Sequence, residues 1–255
     1  MIKLILSDMD GTLLDDDGRV PEGFDTVIGQ LRERGVIFAP CSGRQYFSLL
    51  DSFKGYEDEF LFLAENGTMV RYRGQELFSS AMRRDIGLQV LATAQSLPGT
   101  YQVYCGKRDA YILEAQHTPE LQAELSKYYT HSAITSDFEH LDDELIKVSV
   151  FDPTGHAAAT IYPLLAKYDG PLQVVPSSDY WVDVMNFGIN KGIAIQQVGI
   201  KDAHLPFLIK TKEGGFQQVL ARIRFTVALP SEYKGTHMSR FLEILMPWSR
   251  KPLAE

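Results

Sequence analysis

Residues 4–14 read LILSDMDGTLL, and this stretch decides the fold. Its apolar start is short enough to form a fully buried parallel strand. Two carboxylates follow, Asp8 and Asp10, and alternate residues of an extended chain point to the same side. Close carboxylates repel each other unless a cation lies between them, and Mg²⁺, which prefers oxygen ligands, suits the pair. Open α/β sheets bind ligands just beyond the carboxyl ends of their strands, so we predict a Mg²⁺ site formed by Asp8 and Asp10.

A solvated turn is the simpler interpretation of the same residues, because Asp and Gly both favour turns. The functional interpretation is favoured because an apolar strand, the sequence DxDGT and an amphipathic helix occur in succession. The helix is indicated by apolar residues at positions 24, 27, 28 and 31, and it is expected to end at Gly35.

The sequence DMDGT at residues 8–12 resembles the first motif of the haloacid dehalogenase (HAD) phosphohydrolases. Residues 1 to about 198 resemble the Cof-type branch of that superfamily, which includes bacterial sugar-phosphate phosphatases. The resemblance implies an α/β fold with a Rossmannoid parallel sheet. It also implies that Asp8 is the nucleophile that takes the phosphoryl group as an aspartyl phosphate, and that Asp10 protonates the leaving alcohol and then deprotonates the attacking water. Thr12 belongs to the same motif and is expected among the phosphate-binding residues.

Composition excludes several classes of protein. The chain has 255 residues, of which 45% are hydrophobic and 23% charged, as in a globular protein with one large or two modest domains. The formal net charge of −8 argues against nucleic acid as a partner. No apolar run is long enough to span a bilayer, and the first residues show no signal peptide. Two cysteines form no disulfide framework, which predicts a cytoplasmic protein.

A second buried strand is predicted at residues 36–40, and it leads into Ser42, Gly43 and Arg44. A small hydroxyl and a glycine between a strand and a helix form a phosphate site, because the helix start offers N–H groups and a positive dipole end. The resemblance makes Ser42 the second HAD motif, which hydrogen-bonds the transferring phosphoryl group, with Arg44 helping to hold the substrate. The alternative for Ser42 is a helix cap.

Residues 82–186 change to an α+β pattern and resemble the C2-type cap of the Cof branch. The resemblance divides the chain into a first part of the core at 1–81, the cap at 82–186, a returning core helix at 187–199 and a tail at 200–255. The stretch before the cap, AENG at residues 64–67, also occurs in Cof-type enzymes, and we interpret Asn66 and Gly67 as structural. The cap is expected to close over the site, exclude water and recognise the leaving group.

The residues that recognise the sugar cannot be named from the sequence. Three side chains lie near the ends of predicted cap strands, namely Tyr104, Asp179 and Tyr180. Ordinary packing or solvation is the simpler interpretation of each.

Lys191 follows the cap and opens an amphipathic helix within the stretch GINKG at residues 188–192. An ammonium at a helix start beside carboxylates and phosphate stabilises the charge that develops during transfer. The resemblance makes Lys191 the third HAD motif. A solvated surface lysine is the alternative, and its position after the cap and before the helix favours the functional role.

The resemblance stops after this helix. A HAD phosphatase has a fourth motif, GDxxND, whose first Asp completes the Mg²⁺ shell, but no aspartate follows Asp202 here. The core is therefore expected to be truncated after the third motif and its activity to be lowered. Loss of the following strands would leave the first strand as an apolar edge, through which the protein could form oligomers.

The tail resembles a second family. Its run LARIRFTVALPSEYKGTHMSRFLEIL, residues 220–245, resembles the early part of the FolE2-type GTP cyclohydrolases, which have the tunnelling fold. Strands are predicted at 207–212 and 221–229 around a glycine turn, with a helix after residue 240. His237 and Arg240 would belong to a nucleotide site in a complete protein, and an orphaned fragment is the simpler interpretation. A strand at 222–229 could pair with the exposed core edge.

Three functions follow from these observations. The leading one is a Mg²⁺-dependent phosphatase that hydrolyses a small phosphorylated metabolite, such as a sugar phosphate, through Asp8. The second is a catalytically inactive chimera whose core survives as a scaffold. The third is a module related to GTP cyclohydrolase, in which the tail sets the function.

Overall fold

The structure is a computed structural model that describes residues 4–10, 12–15 and 18–198, together with the backbone of residues 207–210, 216–220 and 223–227. The strands are β1 (Leu4–Asp8), β2 (Ile37–Cys41), β3 (Leu61–Ala64), β4 (Met69–Tyr72), β5 (Gln75–Ser79), β6 (Tyr101–Gly106), β7 (Ala110–Leu113), β8 (Ser132–Thr135), β9 (Leu145–Phe151), β10 (Leu172–Pro176), β11 (Trp181–Asn186), β12 (Phe207–Lys210), β13 (Phe216–Leu220) and β14 (Ile223–Val227). The helices are α1 (Phe24–Glu33), α2 (Tyr46–Ser52), α3 (Arg84–Gln95), α4 (Pro119–Leu125), α5 (Ala157–Thr160), α6 (Tyr162–Leu165) and α7 (Lys191–Gln197).

Eight of the described strands form the core sheet, in the order β14-β13-β12-β1-β2-β3-β4-β5. The strands β12, β1, β2 and β3 are parallel, and the strands outside this group are antiparallel to their neighbours. The predicted α/β class is confirmed, and β1 lies inside the parallel region of the sheet.

The apolar run of β1 is explained by burial on both faces of the sheet. Ile5 faces a cluster that contains Phe24 of α1 and Phe38 of β2. Leu6 belongs to a cluster on the other face, which contains Ile195 of α7. Because helices cover both faces, no position of the strand is left for a polar residue until its end, where the chain reaches Ser7 and Asp8.

The second sheet belongs to the predicted cap. Its six strands are arranged in the order β10-β11-β9-β6-β7-β8, all antiparallel except for the pair β7 and β8. Val148 and Val150 of the central strand β9 pack with residues of α3 and α6. Side chains alternate along a strand, so Lys147 and Ser149 project from the opposite face of this sheet. In the described part of the chain, no helix has the length and apolar character to cross a bilayer.

The prediction that β1 would be an exposed edge is wrong for the described strands. β12 lies parallel to β1, with Phe207 opposite Leu4 and Lys210 opposite Ser7. The strand within residues 222–229, which could have paired with this edge, is β14, and it lies at the outer end of the sheet beyond β13. The short continuous apolar run of β12 suits a central parallel strand, whereas β14 alternates and suits a less covered position. The predicted helix after residue 240 lies outside the described residues.

Candidate active site

The end of β1 and the loop after β2 lie side by side. Asp8 is opposite Cys41 in the parallel register, so the next residue of the second strand, Ser42, emerges beside Asp8. The Ser42 N–H donates to the Leu63 carbonyl at 3.0 Å, and its Oγ accepts the Arg44 N–H at 3.1 Å. The alternative that Ser42 caps the following helix is wrong, because α2 begins only at Tyr46.

Each of the two acids is paired with a base. Lys191 Nζ donates to Asp8 Oδ1. Arg44 binds both carboxylate oxygens of Asp10, with Nη2 2.6 Å from Oδ1 and Nε 3.2 Å from Oδ2. The Asp10 side chain is 52% exposed. These contacts bring four of the predicted site residues together in two ion pairs.

Lys191 is fixed by the turn that starts α7. Asn190 Oδ1 accepts the N–H groups of Gly192 and Ile193, each at 3.0 Å, and so caps the helix. Gly67 lies against this turn, since a Cβ atom on it would be 2.8 Å from the Asn190 carbonyl and 2.9 Å from the Lys191 nitrogen. Gly67 also has a φ of +95°, which only glycine adopts readily. Gly67 therefore has a structural role because a side chain at this position would clash with the turn that starts α7.

The turn at Glu65–Gly67 also contacts the loop after β2. The Glu65 N–H donates to the Arg44 carbonyl and the Asn66 N–H to the Ser42 carbonyl, both at 3.0 Å. A Cβ atom on Gly43 would lie 2.7 Å from Asn66 Oδ1, so the glycine allows a close approach. One turn thus holds both the Ser42–Arg44 loop and the start of α7.

The two ion pairs lie in one cavity between the core sheet and the second sheet. It has a volume of about 290 Å³ and is lined by Asp8, Asp10, Ser42, Gly43, Arg44, Asn66, Tyr128, Tyr129, Lys147, Ser177, Ser178, Trp181, Asp183 and Lys191. Six of the seven predicted site residues are in this lining. The exception is Thr12, which is buried in the turn after β1.

The three side chains considered for sugar recognition, Tyr104, Asp179 and Tyr180, do not line this cavity. Tyr104 is fully buried and its hydroxyl donates to the Asp143 carbonyl. Asp179 and Tyr180 lie in the turn between β10 and β11, and both are exposed. His237 and Arg240 lie outside the described residues.

The second sheet contributes polar residues that the sequence did not single out. Lys147 and Asp183 face the core from β9 and β11, and Asn66 Nδ2 donates to Asp183 Oδ2 at 2.8 Å. Ser149 Oγ donates to the other oxygen of Asp183 at 2.6 Å. The sequence signal that could have found Lys147 is a lysine inside a mostly apolar strand. The structure shows all seven residues of that strand to be buried.

The side chains at the site fit Mg²⁺ only in part. In the portion of the chain that is described, no three His, Cys, Asp or Glu side chains are grouped to hold a metal ion. The strand beside β1 ends in Lys210, and no aspartate follows it in the sequence. Mg²⁺ is commonly bound by one or two carboxylates, with substrate phosphate and water as the other ligands. Asp8 and Asp10 fit a site of that kind, but not one built by protein ligands alone.

Cys41 lies opposite Asp8 in the core sheet, but it is not a candidate nucleophile. Burial raises the pKa of its thiol to about 12, and the nearby Lys191 ammonium only partly opposes this shift. The thiolate is the reactive form of cysteine, so Cys41 is inert near neutral pH.

The C-terminal part of the chain is similar to a second family. The family described as type I GTP cyclohydrolase folE2 matches residues 182–255. GTP cyclohydrolase FolE2 of Maridesulfovibrio salexigens is 41% identical over 69 residues, which are 27% of this chain and 27% of that protein. The chain therefore spans about a quarter of the length of this relative.

The larger part of the chain matches the first family. The family described as haloacid dehalogenase-like hydrolase matches residues 5–203. The Escherichia coli 5-amino-6-(5-phospho-D-ribitylamino)uracil phosphatase YbjI is 27% identical over 210 residues, which cover 80% of this chain and 77% of that protein. The crystal structure of SMU.1108c from Streptococcus mutans has the same fold, with a TM-score of 0.72, 23% identity and coverage of 82% and 80% of the two chains. This chain belongs to the haloacid dehalogenase-like hydrolase family.

Proposed function

We propose that this protein hydrolyses small phosphate monoesters through a covalent intermediate on Asp8. One observation carries the proposal: Asp8, Ser42 and Lys191 line the same cavity, although they lie on three separate segments of the chain. A carboxylate, a hydroxyl and an ammonium converging at strand ends suit phosphoryl transfer, which depends mainly on positioning and charge stabilisation.

In the first step, a carboxylate oxygen of Asp8 attacks phosphorus and the bond from phosphorus to the ester oxygen breaks. Asp10, in its protonated form, gives its proton to the leaving oxygen, so that an alcohol departs. Lys191 neutralises charge on Asp8 and then on the transferring group, since its ammonium already contacts the Asp8 carboxylate. Ser42 and Arg44 hold the remaining phosphoryl oxygens.

In the second step, water attacks the aspartyl phosphate and regenerates the enzyme. Asp10 is now a carboxylate and takes a proton from the attacking water, and the bond between Asp8 and phosphorus breaks to release inorganic phosphate. Arg44 holds the Asp10 carboxylate by two hydrogen bonds, which fixes it in the lining of the cavity that also contains Asp8.

We propose Mg²⁺ as the cofactor, as is general in this superfamily. The Asp8 carboxylate and an oxygen of Asp10 would hold the ion together with the phosphate of the substrate and water. When bound, it would supply positive charge to the phosphate oxygens during transfer.

The substrate that we propose is the phosphate ester of a sugar or sugar alcohol. YbjI acts on a phosphorylated ribityl compound, and its similarity extends over most of both chains. The cap side of the cavity has two serines, Ser177 and Ser178, and three aromatic side chains, Tyr128, Tyr129 and Trp181, which suit a polar leaving group with carbon faces. The region that we propose as the cap, residues 82–186, would exclude water from this group.

The test is turnover of p-nitrophenyl phosphate with and without Mg²⁺ by the full chain and by Asp8→Asn. The proposal expects Mg²⁺-dependent turnover and a loss of more than about 10³-fold in kcat for Asp8→Asn, since the amide is no nucleophile. Asp51→Asn is the matched control, because Asp51 is an exposed acid paired with Lys54 outside the cavity. Equal rates for the Asp8 variant and the full chain would exclude Asp8 as the nucleophile.

An inactive chimera is the second candidate, and one observation favours it. The strand beside β1 carries Lys210 at its end and no carboxylate, where a phosphatase of this type has a metal ligand. This candidate expects phosphate binding in the cavity without turnover at any Mg²⁺ concentration.

We propose a cytoplasmic location. Both cysteines of the chain, Cys41 and Cys105, are buried free thiols. Unpaired thiols are typical of a reducing compartment.

A further inference from the structure

A lysine of the cap is buried at the boundary with the core. The Lys147 side chain is only 2% exposed, and its Nζ lies 2.5 Å from an oxygen of Glu65, which is equally buried. The same Nζ donates to the Gly43 carbonyl at 3.1 Å and lies 3.9 Å from Asp183 Oδ1. Burial lowers the pKa of Lys147, but the attraction of Asp183 and Glu65 outweighs it and leaves the pKa well above its usual value. Lys147 Nζ thus has two carboxylates within 4 Å, an arrangement that favours its charged form.

The contact with Gly43 connects this cation to the proposed phosphate-binding loop. Gly43 lies between Ser42, which faces the transferring group, and Arg44, which holds Asp10. A hydrogen bond from a charged donor to the Gly43 carbonyl fixes the orientation of the peptide group between Gly43 and Arg44, whose N–H donates to Ser42 Oγ. Lys147 reaches this carbonyl from the cap, so the loop geometry depends on a residue of another sheet.

Glu65, the partner of Lys147, has an unusual backbone conformation. Its φ is +51°, in the left-handed region that side chains other than those of Gly, Asn and Asp seldom adopt. Such strain persists only where surrounding contacts impose it, and it occurs often at functional sites. Here the conformation directs the carboxylate of Glu65 toward the cap lysine, while its N–H bonds the Arg44 carbonyl.

We propose that Lys147 is a positioning residue for the phosphoryl group, and that it acts through the Gly43 carbonyl while Glu65 holds it in place. The inference rests on the proposed phosphatase function, because it assigns a role within that site. It makes a cap residue responsible for phosphate binding, independently of which alcohol leaves.

The experiment compares Lys147→Met with the double variant Lys147→Met/Glu65→Gln in the full chain. The single variant leaves Glu65 buried without its cation, whereas the double variant replaces the ion pair by two uncharged side chains of similar size. We expect the double variant to recover the melting temperature of the unmodified chain but not its activity, since neither variant can bond the Gly43 carbonyl.

Two kinetic readouts separate positioning from a merely structural role. We expect kcat/KM to fall by about 10-fold to 100-fold in both variants, and by the same factor for three phosphate esters with different alcohols. The inhibition constant of inorganic phosphate should rise as well, which a smaller amount of folded protein would not cause. Recovery of activity in the double variant, or a loss that differs among the three esters, would overturn the proposal.

The matched control is Lys107→Met, which removes another lysine of the cap. Lys107 binds Glu76 of the core sheet at 3.0 Å, but it does not line the cavity. We expect this variant to keep the phosphate inhibition constant of the unmodified chain. An equal rise in the Lys107 and Lys147 variants would overturn the proposal, because any loosening of the cap would then suffice.

The inference and the proposed function fail in different ways. If the unmodified chain turns over phosphate esters and Lys147→Met matches it, only the inference is wrong. If the chain turns over none, binding of inorganic phosphate measured by calorimetry replaces kinetics. Weaker binding in both Lys147 variants then supports the inference, and equal binding or no binding to the unmodified chain overturns it.

Discussion

The two sides of the cavity hold their charges in different ways. On the core side, the ion pairs of Asp8 with Lys191 and of Asp10 with Arg44 are partly exposed to solvent. On the cap side, the pair of Lys147 with Glu65 has almost no exposed surface. The partners that we propose to be exchanged for a phosphate lie where water can replace them, whereas the pair between Lys147 and Glu65 is closed to water.

This difference predicts opposite effects of substitutions on the two sides. Exposed ion pairs contribute about 0–1 kcal/mol to the free energy of unfolding, because water competes for both partners. Removing one partner of a buried pair costs about 3–5 kcal/mol, since a charge stays buried without compensation. The core side should therefore control the rate of reaction, and the cap side both stability and geometry.

The largest effect on stability is expected for Lys147→Met. The free energy of unfolding should fall by about 3–5 kcal/mol, because Glu65 is left buried and unpaired. Urea unfolding followed by circular dichroism measures it. A decrease in the free energy of unfolding of less than about 1 kcal/mol would show that the buried pair contributes no more to stability than the partly exposed pairs.

Lys191→Met should have the next largest effect, and this effect should be on the rate of reaction and not on the stability of the fold. We expect kcat/KM to fall about 10²-fold, which is about 2.7 kcal/mol of transition-state stabilisation. The free energy of unfolding should change by less than about 1 kcal/mol, since a third of the lysine side chain is exposed. Steady-state kinetics and urea unfolding of the same preparation test both statements, and a large loss of stability would contradict the comparison.

Gly67→Ala tests the turn that lies between the two sides. We expect the free energy of unfolding, measured by urea unfolding, to fall by about 2 kcal/mol. An added Cβ would meet the Asn190 backbone, and the positive φ is strained for any residue other than glycine. Gly74→Ala is the control, since Gly74 also has a positive φ but its Cβ would meet nothing within 4 Å. Similar losses in the two variants would mean that the contact with Asn190 contributes nothing.

The smallest effect on the free energy of unfolding is expected for Asp152, which follows β9 and does not line the cavity. Burial raises the pKa of its carboxyl, but hydrogen bonds from Thr154 and Thr160 outweigh this and leave the pKa below its ordinary value of 3.8. A lowered pKa in the folded state stabilises the protein above about pH 3.8, and this contribution is lost as the pH falls through the folded-state value. Asp152→Asn should therefore cost about 1 kcal/mol at pH 7. The cost should shrink at pH 3, and urea unfolding at both pH values measures it.

Much of the core side could be predicted because its signals are local. Asp8 follows a short apolar strand, Ser42 follows another, and Lys191 opens a helix, so each can be located from its immediate neighbours. The parallel order of strands then brings their ends together. Thr12 shows the limit of this reasoning, since it shares the motif but is buried beside the site and not in its lining.

The cap side could not be predicted, because its contacts join residues far apart in the sequence. Lys147 contacts Gly43 and Glu65, and no spacing indicates which cap strand covers which core loop. The tail shows the same difficulty. A strand beginning at Phe207 could be predicted from its apolar run, but its parallel pairing with β1 could not.

The balance of charge around the cavity has a consequence for how ligands enter. Among the described residues of its lining, three acids (Asp8, Asp10 and Asp183) face three bases (Arg44, Lys147 and Lys191), so the formal charges of the lining cancel. A doubly negative ester would disturb this neutrality by itself, and a dication would disturb it in the opposite sense. Arriving together they cancel, so each should strengthen the binding of the other by the same factor.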